Sequence, residues 1–510
     1  MGVGCKGSFF KSCAGAPGGP GGGLDCVIVP LSRCPIYSAR QTDYLGCHPH
    51  ETHPLGAISV EMNWRKHAFL CAHDFIGSGL RGHYAEFLAA SKWPAEHLER
   101  LHAGRLDALL QHASKVVPFY RERAASPELS AFPILRKEDI HAHFDALMEP
   151  SLLAEYRAEK KPRGYSWVEV KTGGSTGIPT TVIHDADFRD WGRAGRLYSQ
   201  WMCGFPIGTP FFQLWGSMRD INDAKDSTQK RVLNSLLQAH PLNAFLMDDA
   251  RMADYLREIG ESRIDHLMAY VDAAYQLARF QEKSGKPMRP LKSLMACAGT
   301  VTDEVRGKLA RVFGARVHNK YGSRECADMA CECAAGGFHI YATGIHLEIV
   351  DDAGQPVPAG TTGRILVTLL HNRRFPIIRY EIGDIGALSS AECRCGSPLP
   401  LLERVEGRIS EIITAANGAY VSPVYIRHLI GVVHNPGTIE RFQFRQTDAT
   451  RYALLLQTEA AVSPAALDAL RRDLLAVLGA DAALEIDPAA RLEEHPGGKF
   501  LYVQNLHRPS

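Results

Sequence analysis

The sequence predicts an α/β protein: a large N-terminal body of mixed sheets and helices, followed by a small, mobile α+β C-terminal domain. Strand-like segments at 291–296 and 316–319 flank a helical pattern at 303–313, and this β-α-β order implies parallel strands. Strand patterns then dominate from 340 to 387. Beyond residue 407, two strands, a leucine-faced helix and one more strand make a compact unit.

The expected domain boundaries lie between residues 79 and 80 and between residues 406 and 407. Residues 1–79 contain a Gly/Pro-rich stretch at 15–23 that offers no side chains for a core, and no periodicity follows it. We expect a disordered extension there, or a start codon placed too early with Met62 nearer the true beginning. The large body is expected at 80–406 and a small lid domain at 407–510.

Two helices carry clear sequence signals. The helical spacing i, i+3, i+4, i+7 predicts an amphipathic helix through Leu106, Leu109, Leu110 and Ala113. In the small domain, Ser463 and Pro464 supply an N-cap and a first-turn proline, and Gly479 follows the last inward-facing leucine.

Composition and charge exclude several classes of protein. Of 510 residues, 45% are hydrophobic and 22% are charged, which is typical of a globular chain. The formal net charge of +1 gives no field that would favour nucleic acid or an anionic membrane, and no apolar run is long enough to span a bilayer. Thirteen cysteines without an export signal indicate reduced thiols in the cytoplasm. Oligomeric state stays open, with a homodimer as one option.

A run rich in glycine and hydroxyl groups lies at 171–179 (KTGGSTGIP), between strand-like segments at 165–170 and 180–183. Glycines let backbone N–H groups approach an anion and hydroxyl groups add donors, so the run suits a phosphate-binding loop. It is not a Walker A loop, because no Lys-Ser/Thr pair follows a glycine at the required spacing. On the loop alone, a flexible hairpin turn is an equal alternative.

Four further segments place aromatic, acidic or basic side chains beside glycines. They are 319–325 (NKYGSRE), 379–384 (RYEIGD), 407–411 (GRISE) and 497–500 (GGKF). Each alone has an ordinary explanation, because Tyr-Gly and Gly-Asp pairs are usual in turns and a terminal lysine is usually solvated.

In this order and at these separations, the five segments resemble the adenylate-forming enzymes, which include acyl-CoA synthetases, peptide-synthetase adenylation domains and luciferases. The resemblance runs from about Trp93 to the C-terminus. It favours the phenylacetate–coenzyme A ligase branch on three added segments, 116–121 (VVPFYR), 132–137 (FPILRK) and 376–380 (PIIRY).

The resemblance implies a nucleotide site. The loop that would close over the β- and γ-phosphates of ATP consists of Thr172, Gly173, Gly174, Ser175, Thr176 and Gly177. Tyr321 would stack on adenine, with Gly322 and Ser323 in the same nucleotide-binding loop. Glu325 would help hold Mg²⁺, and Asp384, assisted by Arg408, would bind the ribose hydroxyls.

The resemblance also implies where the carboxylate reacts. Lys499 would meet both the carboxylate substrate and the α-phosphate, while Gly299, with Ala298 and Thr300, would line the acyl pocket. In the family the small domain rotates between an adenylation step and a thiol step, about a hinge that here is Ser410. The family usually has Asp or Lys at this position, which puts the efficiency of the second step in doubt.

The expected activity is therefore an AMP-forming carboxylate ligase that makes an acyl-adenylate and then an acyl- or aryl-CoA thioester from coenzyme A. Two alternatives stay open. One is an adenylating enzyme with an acceptor other than coenzyme A, such as a deazaflavin coenzyme, or with a role in a capsule locus. The other is a non-catalytic nucleotide-binding homologue.

A set of cysteines and one histidine forms a second signal. Three thiolates and an imidazole suit a closed tetrahedral structural zinc site, and the candidate ligands are Cys333, His339, Cys393 and Cys395. Comparable sets recur in the resembling branch. Cys326 and Cys331 are spare thiols that could replace a ligand, and the alternative is a group of reduced buried thiols. His371, beside Arg373 and Arg374, is expected in a solvated turn.

Overall fold

The computed structural model describes residues 63–158, 166–171, 180–215, 228–244, 247–408, 413–417, 420–421, 426, 429–434, 438–458, 461–492 and 502–507. The predictions for residues 1–62, for the loop 172–177, for Ser410 and for Lys499 lie outside these residues. For Arg408 only the backbone is described.

Twelve helices are found in the described ranges. They are α1 (Trp64–Phe75), α2 (Leu80–Ala90), α3 (Ala95–Val116), α4 (Pro118–Arg123), α5 (Lys137–Ala142), α6 (Pro150–Arg157), α7 (Ala186–Met202), α8 (Thr228–Leu237), α9 (Asp249–Glu261), α10 (Val271–Ser284), α11 (Asp303–Phe313) and α12 (Pro464–Leu478). Single turns of 3₁₀ and π helix lie at Leu129–Ala131 and Leu429–Val433. None of these helices is both long and apolar enough to cross a membrane.

Nineteen strands are found in the same ranges. They are β1 (Trp167–Lys171), β2 (Thr181–Asp185), β3 (Phe211–Trp215), β4 (Ala239–Asn243), β5 (His266–Tyr270), β6 (Ser293–Cys297), β7 (Arg316–Ser323), β8 (Ala327–Glu332), β9 (Phe338–Ile340), β10 (Ile345–Val350), β11 (Gly363–Leu369), β12 (Tyr380–Ser389), β13 (Leu401–Arg408), β14 (Ile413–Thr414), β15 (Tyr420–Val421), β16 (Ile439–Gln446), β17 (Arg451–Thr458), β18 (Ala483–Asp487) and β19 (Val503–Asn505).

Eleven of the described strands form one mixed sheet in the order β10-β11-β12-β13-β9-β8-β7-β6-β5-β3-β4. Five neighbouring strands are parallel, namely β4, β3, β5, β6 and β7. The rest of the sheet is antiparallel and runs in the order β7, β8, β9, β13, β12, β11 and β10. Helix α11 connects β6 to β7, so the expected β-α-β unit is confirmed. The α/β fold class predicted from the sequence is confirmed as well.

Two hydrophobic clusters support this sheet. One gathers residues of the N-terminal helices, α7 and the antiparallel strands, including the buried Tyr120 and Trp191. The other lies where α9, α10 and α11 pack near the parallel strands, around Leu277 and Phe313. The carboxyl ends of β3, β5, β6 and β7 are thereby held at one edge of the sheet, which is where ligands bind in open α/β sheets.

The regular structure begins earlier than the sequence predicts. Helix α1 lies inside the range 1–79, for which an extension without structure is expected. Asn63 caps this helix by accepting a hydrogen bond from the Lys66 amide and donates another to the Ile207 carbonyl at 2.7 Å. Phe69 and Leu70 are buried in the core. Residues 63–79 therefore differ from the expectation, because two apolar side chains of this helix find partners on the body.

The C-terminal residues build their own core. Strands β18, β17, β16 and β19 form a four-stranded sheet, and α12 contributes Leu470, Leu474 and Leu478 to a cluster drawn from residues 413–503. Ser463 accepts a hydrogen bond from the Ala466 amide, which is the N-cap that the sequence predicts.

Candidate active site

The carboxyl ends of the parallel strands bring the expected acyl and adenine segments together. Tyr270, Cys297 and Lys320 lie in register across β5, β6 and β7. Gly299 follows two residues after β6 ends, and an added Cβ there would lie 2.8 Å from Val271 Cβ, so glycine permits this close approach. Trp215, at the end of β3, packs its ring against Tyr270 with centroids 4.1 Å apart.

Tyr321 and Asp384 meet although they lie on different strands. Tyr321 is near the end of β7, and its hydroxyl donates a hydrogen bond of 2.8 Å to Asp384 Oδ2 on β12. The backbone of Asp384 lies opposite that of Arg408 in the pairing of β12 with β13. Three of the residues assigned to adenine and ribose thus converge, by backbone position for Arg408 and by side-chain contact for the other two.

The turn between β7 and β8 holds the rest of this segment. An added Cβ at Gly322 would lie 2.6 Å from the Ala327 carbonyl oxygen, so the turn closes only around glycine. Ser323 Oγ accepts a hydrogen bond of 3.0 Å from the Cys326 amide. Gly322 and Ser323 therefore shape the turn that leads from Tyr321 to Glu325.

Glu325 is buried at the same place, with 6% of its surface exposed. The Tyr380 hydroxyl donates to Glu325 Oε1 at 3.3 Å. The Glu325 carbonyl accepts a hydrogen bond of 2.8 Å from His184 Nε2, and burial lowers the pKa of His184 to about 4, so this imidazole is neutral at pH 7. Among the described residues, no side chain or amide is hydrogen-bonded to Glu325 Oε2, and a carboxylate oxygen on a buried, fixed glutamate is a suitable ligand for Mg²⁺.

His184 links Glu325 to the strands that flank the expected phosphate loop. Strands β1 and β2 pair antiparallel, and Lys171 lies opposite Thr181, so the ends of the loop are held together. Both flanking strands are thus confirmed. A phosphate-binding loop and a simple hairpin turn would both give this pairing, so it does not distinguish them. The loop itself lies outside the described residues.

Sequence reasoning missed a buried ion pair beside Tyr321. Lys320 Nζ lies 2.6 Å from Asp328 Oδ1, and both side chains are more than nine-tenths buried. Burial would lower the pKa of Lys320, but the Asp328 carboxylate outweighs it and the pKa is raised. The available signal was a charged residue in strand β7, directly before Tyr321.

The four candidate zinc ligands are also brought together. Cys333 follows β8, His339 lies on β9, and Cys393 and Cys395 lie between β12 and β13. One ligand atom of each lies within 4.8 Å of the others. Cys333 Sγ is 3.5 Å from Cys393 Sγ, and Cys395 Sγ is 3.3 Å from His339 Nε2.

These separations fit a tetrahedral ion, because sulfur ligands at about 2.3 Å from zinc lie about 3.8 Å apart, and a sulfur and a nitrogen ligand somewhat closer. The spare thiols are elsewhere. Cys326 and Cys331 are fully buried, and Cys331 Sγ lies 3.8 Å from Cys203 Sγ.

No family model matches the chain. Among curated proteins, it is 22% identical over 465 residues to phenylacetate–coenzyme A ligase of Thermus thermophilus, covering 81% of this chain and 98% of that protein. It is 22% identical over 426 residues to the protein CapK of Staphylococcus aureus, covering 79% of this chain and 88% of that protein.

Among solved structures, 2-hydroxyisobutyryl-CoA ligase in its postadenylation state, in complex with R3-HIB-AMP, matches with a TM-score of 0.60 at 20% identity. The match covers 81% of this chain and 90% of that chain. An open conformation of the same ligase, in complex with 2-HIB-AMP and CoA, matches with a TM-score of 0.53.

The fold is that of the adenylate-forming enzymes, as the resemblance implies. Within this class, the chain is related in sequence to the phenylacetate–coenzyme A ligases, so the resemblance to that branch is confirmed.

Proposed function

We propose that this protein is an ATP-dependent, AMP-forming carboxylate ligase that makes an acyl-adenylate and then an acyl- or aryl-CoA thioester. The observation that carries the proposal is the contact of Tyr321 with Asp384, opposite Arg408 on the next strand. A stacking ring, a carboxylate for ribose hydroxyls and a basic residue at one edge of the sheet suit the nucleoside of ATP.

In the first step, a carboxylate oxygen of the substrate attacks the α-phosphorus of ATP, and the bond to pyrophosphate breaks. Two anions must approach each other, so fixed positive charge lowers the barrier. Lys499 is proposed to bind the substrate carboxylate and the α-phosphate oxygens, and the 172–177 loop to orient the β- and γ-phosphates. When bound at Glu325, Mg²⁺ supplies charge neutralisation between the phosphates.

In the second step, the thiol of coenzyme A loses its proton to solvent, its sulfur attacks the carbonyl carbon of the adenylate, and AMP leaves with the electrons of the C–O bond. This step is proposed to follow rotation of a lid domain, residues 407–510, relative to the body at 80–406, with Ser410 as the hinge. The separate core of residues 413–503 supports a small domain that keeps its shape when it moves. The use of ATP and coenzyme A suits a cytoplasmic enzyme.

We also propose a structural zinc ion at Cys333, His339, Cys393 and Cys395. The donor set and the 3.3–3.5 Å contacts support it. Zinc would fix the 393–395 segment against β8 and β9, and thereby the antiparallel strands β12 and β13 that carry Asp384 and Arg408. It takes no part in either reaction step.

The experiment has two measurements. Purified protein is assayed for AMP formation from ATP with a panel of carboxylic acids, aromatic acids first, with and without coenzyme A. Carboxylate-dependent exchange of pyrophosphate into ATP is then compared between the unmodified protein and Lys499→Ala, with the exposed Lys286→Ala as the matched control.

We expect exchange without coenzyme A, a thioester only with it, and loss of exchange in Lys499→Ala alone while ATP still binds. Exchange that survives in Lys499→Ala would overturn the assignment of this lysine. If no acid in the panel supported AMP formation or exchange, the proposed activity would be rejected in favour of nucleotide binding alone.

A further inference from the structure

A second cluster of metal-binding side chains lies away from the nucleotide site and the cysteines. His83 is on α2, Asp187 is in the first turn of α7, and His371 follows β11 by two residues. His83 Nε2 lies 2.9 Å from Asp187 Oδ1, and His371 Nδ1 lies 2.7 Å from Asp187 Oδ2. One ligand atom of each residue lies within 4.8 Å of the other two.

The two nitrogen–oxygen separations are hydrogen-bond lengths, and they are close to the spacing of neighbouring ligands around one ion. Nitrogen and oxygen ligands at about 2.1 Å from a metal lie about 3.0 Å apart at the corners of an octahedron and about 3.4 Å apart in a tetrahedron. Two imidazoles and one carboxylate, with no thiolate, form a donor set that suits first-row divalent ions and leaves coordination positions open.

The two imidazoles are held in place before any ion binds. The side chains of His83 and His371 are 13% and 9% exposed, so His371 is buried and not in the solvated turn that the sequence predicts. The His371 ring stacks on Trp191 at 21° between planes and meets the His83 ring edge-on, with centroids 5.0 Å apart. His371 Nε2 is buried without a hydrogen-bond partner among the described residues, so Nδ1 is the nitrogen available to an ion.

The carboxylate between them faces solvent. The Asp187 side chain is 59% exposed, so water can reach the remaining coordination positions. In the described part of the chain, the Asp187 carboxylate contacts the two histidines, and no lysine or arginine pairs with it. The nearby Arg374 pairs instead with Glu149 and Glu155, which leaves the negative charge of Asp187 available to a cation.

We propose that His83, Asp187 and His371 bind a divalent transition-metal ion such as Zn²⁺, with solvent completing the coordination. The site joins α2 and α7 to the segment that leads into β12, where Asp384 lies. Asn372 in that segment already bonds to β2, accepting from the Asp185 amide at 3.0 Å and donating to the Ile183 carbonyl at 2.9 Å. The ion would thus stabilise the packing of the segments that lead to the expected phosphate loop and to Asp384. Its binding does not depend on the proposed activity.

The test measures metal stoichiometry on the full, untagged chain after removal of metal with a chelator. Zinc bound at micromolar free concentration is compared among the unmodified protein, His83→Gln, Asp187→Asn and Cys393→Ser, with the exposed His67→Gln as the matched control. Circular dichroism checks that each variant is folded. Asp187→Asn keeps the size of the side chain and a hydrogen-bonding oxygen, so it separates loss of a ligand from loss of structure.

We expect His83→Gln and Asp187→Asn each to bind one equivalent of zinc less than the unmodified protein, and His67→Gln to bind the same amount. Cobalt(II) distinguishes the two sites, because a thiolate ligand gives an intense charge-transfer band and imidazole with carboxylate gives weak visible bands alone. The thiolate band should vanish in Cys393→Ser and persist in His83→Gln. Equal zinc stoichiometry in the unmodified protein and in folded His83→Gln and Asp187→Asn would overturn the proposal.

Discussion

The hydroxyl of Tyr321 donates a hydrogen bond of 2.8 Å to Asp384 Oδ2, and so joins two strands whose residues are 63 positions apart. This hydrogen bond therefore fixes the ring proposed to stack on adenine relative to the carboxylate proposed to bind ribose. Because the bond fixes which oxygen of Asp384 is turned away from Tyr321, it presents the other oxygen in a defined direction. Loss of the hydroxyl should therefore weaken the contact between Asp384 and the ribose, although Tyr321 itself is proposed to contact the adenine base.

Tyr321→Phe should weaken ATP binding about tenfold, because a hydrogen bond to a charged group contributes about 1.5 kcal/mol or more and 1.4 kcal/mol is a factor of ten. The stacking surface is unchanged in this variant. The loss should be smaller for ATP analogues that lack a ribose hydroxyl. Calorimetric titration with ATP and with the 2′- and 3′-deoxy analogues measures both effects.

Tyr275→Phe is the matched control, since it removes a tyrosine hydroxyl that donates to Glu304 at 3.0 Å, between α10 and α11. It should bind ATP like the unmodified protein. An equal loss of affinity for ATP and for both deoxy analogues in Tyr321→Phe would show that the hydroxyl does not act through the ribose contact.

His184→Gln should make the protein less sensitive to acid. Burial lowers the pKa of His184 to about 4 from 6.5, so the unfolded chain binds a proton that the folded chain does not. This histidine therefore costs no stability above pH 6.5 and destabilises the fold progressively as the pH falls from 6.5 towards 4. At pH 5 the cost is about 2 kcal/mol, and glutamine, which does not titrate, removes it.

Urea unfolding of the two proteins at pH 7 and at pH 5 measures this difference. The loss of stability between the two pH values should be about 2 kcal/mol smaller in His184→Gln, and the exposed His141→Gln should lose as much as the unmodified protein. Parallel losses in all three proteins would mean that His184 is protonated as readily in the folded state as in the unfolded state.

Local sequence patterns were enough to predict much of the fold and part of the site. The β-α-β unit around α11 and the N-cap at Ser463 depend on residues close in the chain, and both are as predicted. The cysteine set was found because three thiols and an imidazole are the donor groups of a structural zinc site. Tyr321 and Asp384 were found only as members of a motif set, and nothing in either segment indicates that they touch.

Contacts between distant segments could not be predicted in this way. His83 and Asp187 are 104 positions apart, and Asp187 and His371 are 184 apart, so no spacing rule connects them. His371 follows β11 in a polar sequence that favours a solvated turn, and the packing of Trp191 against it decides otherwise. Helix α1 was missed for a similar reason, because its buried side chains gain their partners only from the folded body.

Gly337→Ala should prevent the cysteine site from binding zinc. An added Cβ at this position would press against Cys393 Sγ, and it would lie 3.0 Å from both Cys393 Cβ and His339 Nε2, so two candidate ligands would have to move apart. Zinc measured by atomic spectroscopy should fall by one equivalent, and the cobalt–thiolate band should be lost. Gly104→Ala, where an added Cβ meets no atom within 4 Å, is the control and should keep both the zinc and the cobalt–thiolate band.

Thermal stability gives a second measurement, because a structural ion contributes its binding free energy to folding. The melting temperature of the unmodified protein and of Gly104→Ala should fall on treatment with a chelator. The melting temperature of Gly337→Ala should be low from the start and should change little. A Gly337→Ala protein with a full cobalt–thiolate band would show that the four side chains do not share one ion in the arrangement described.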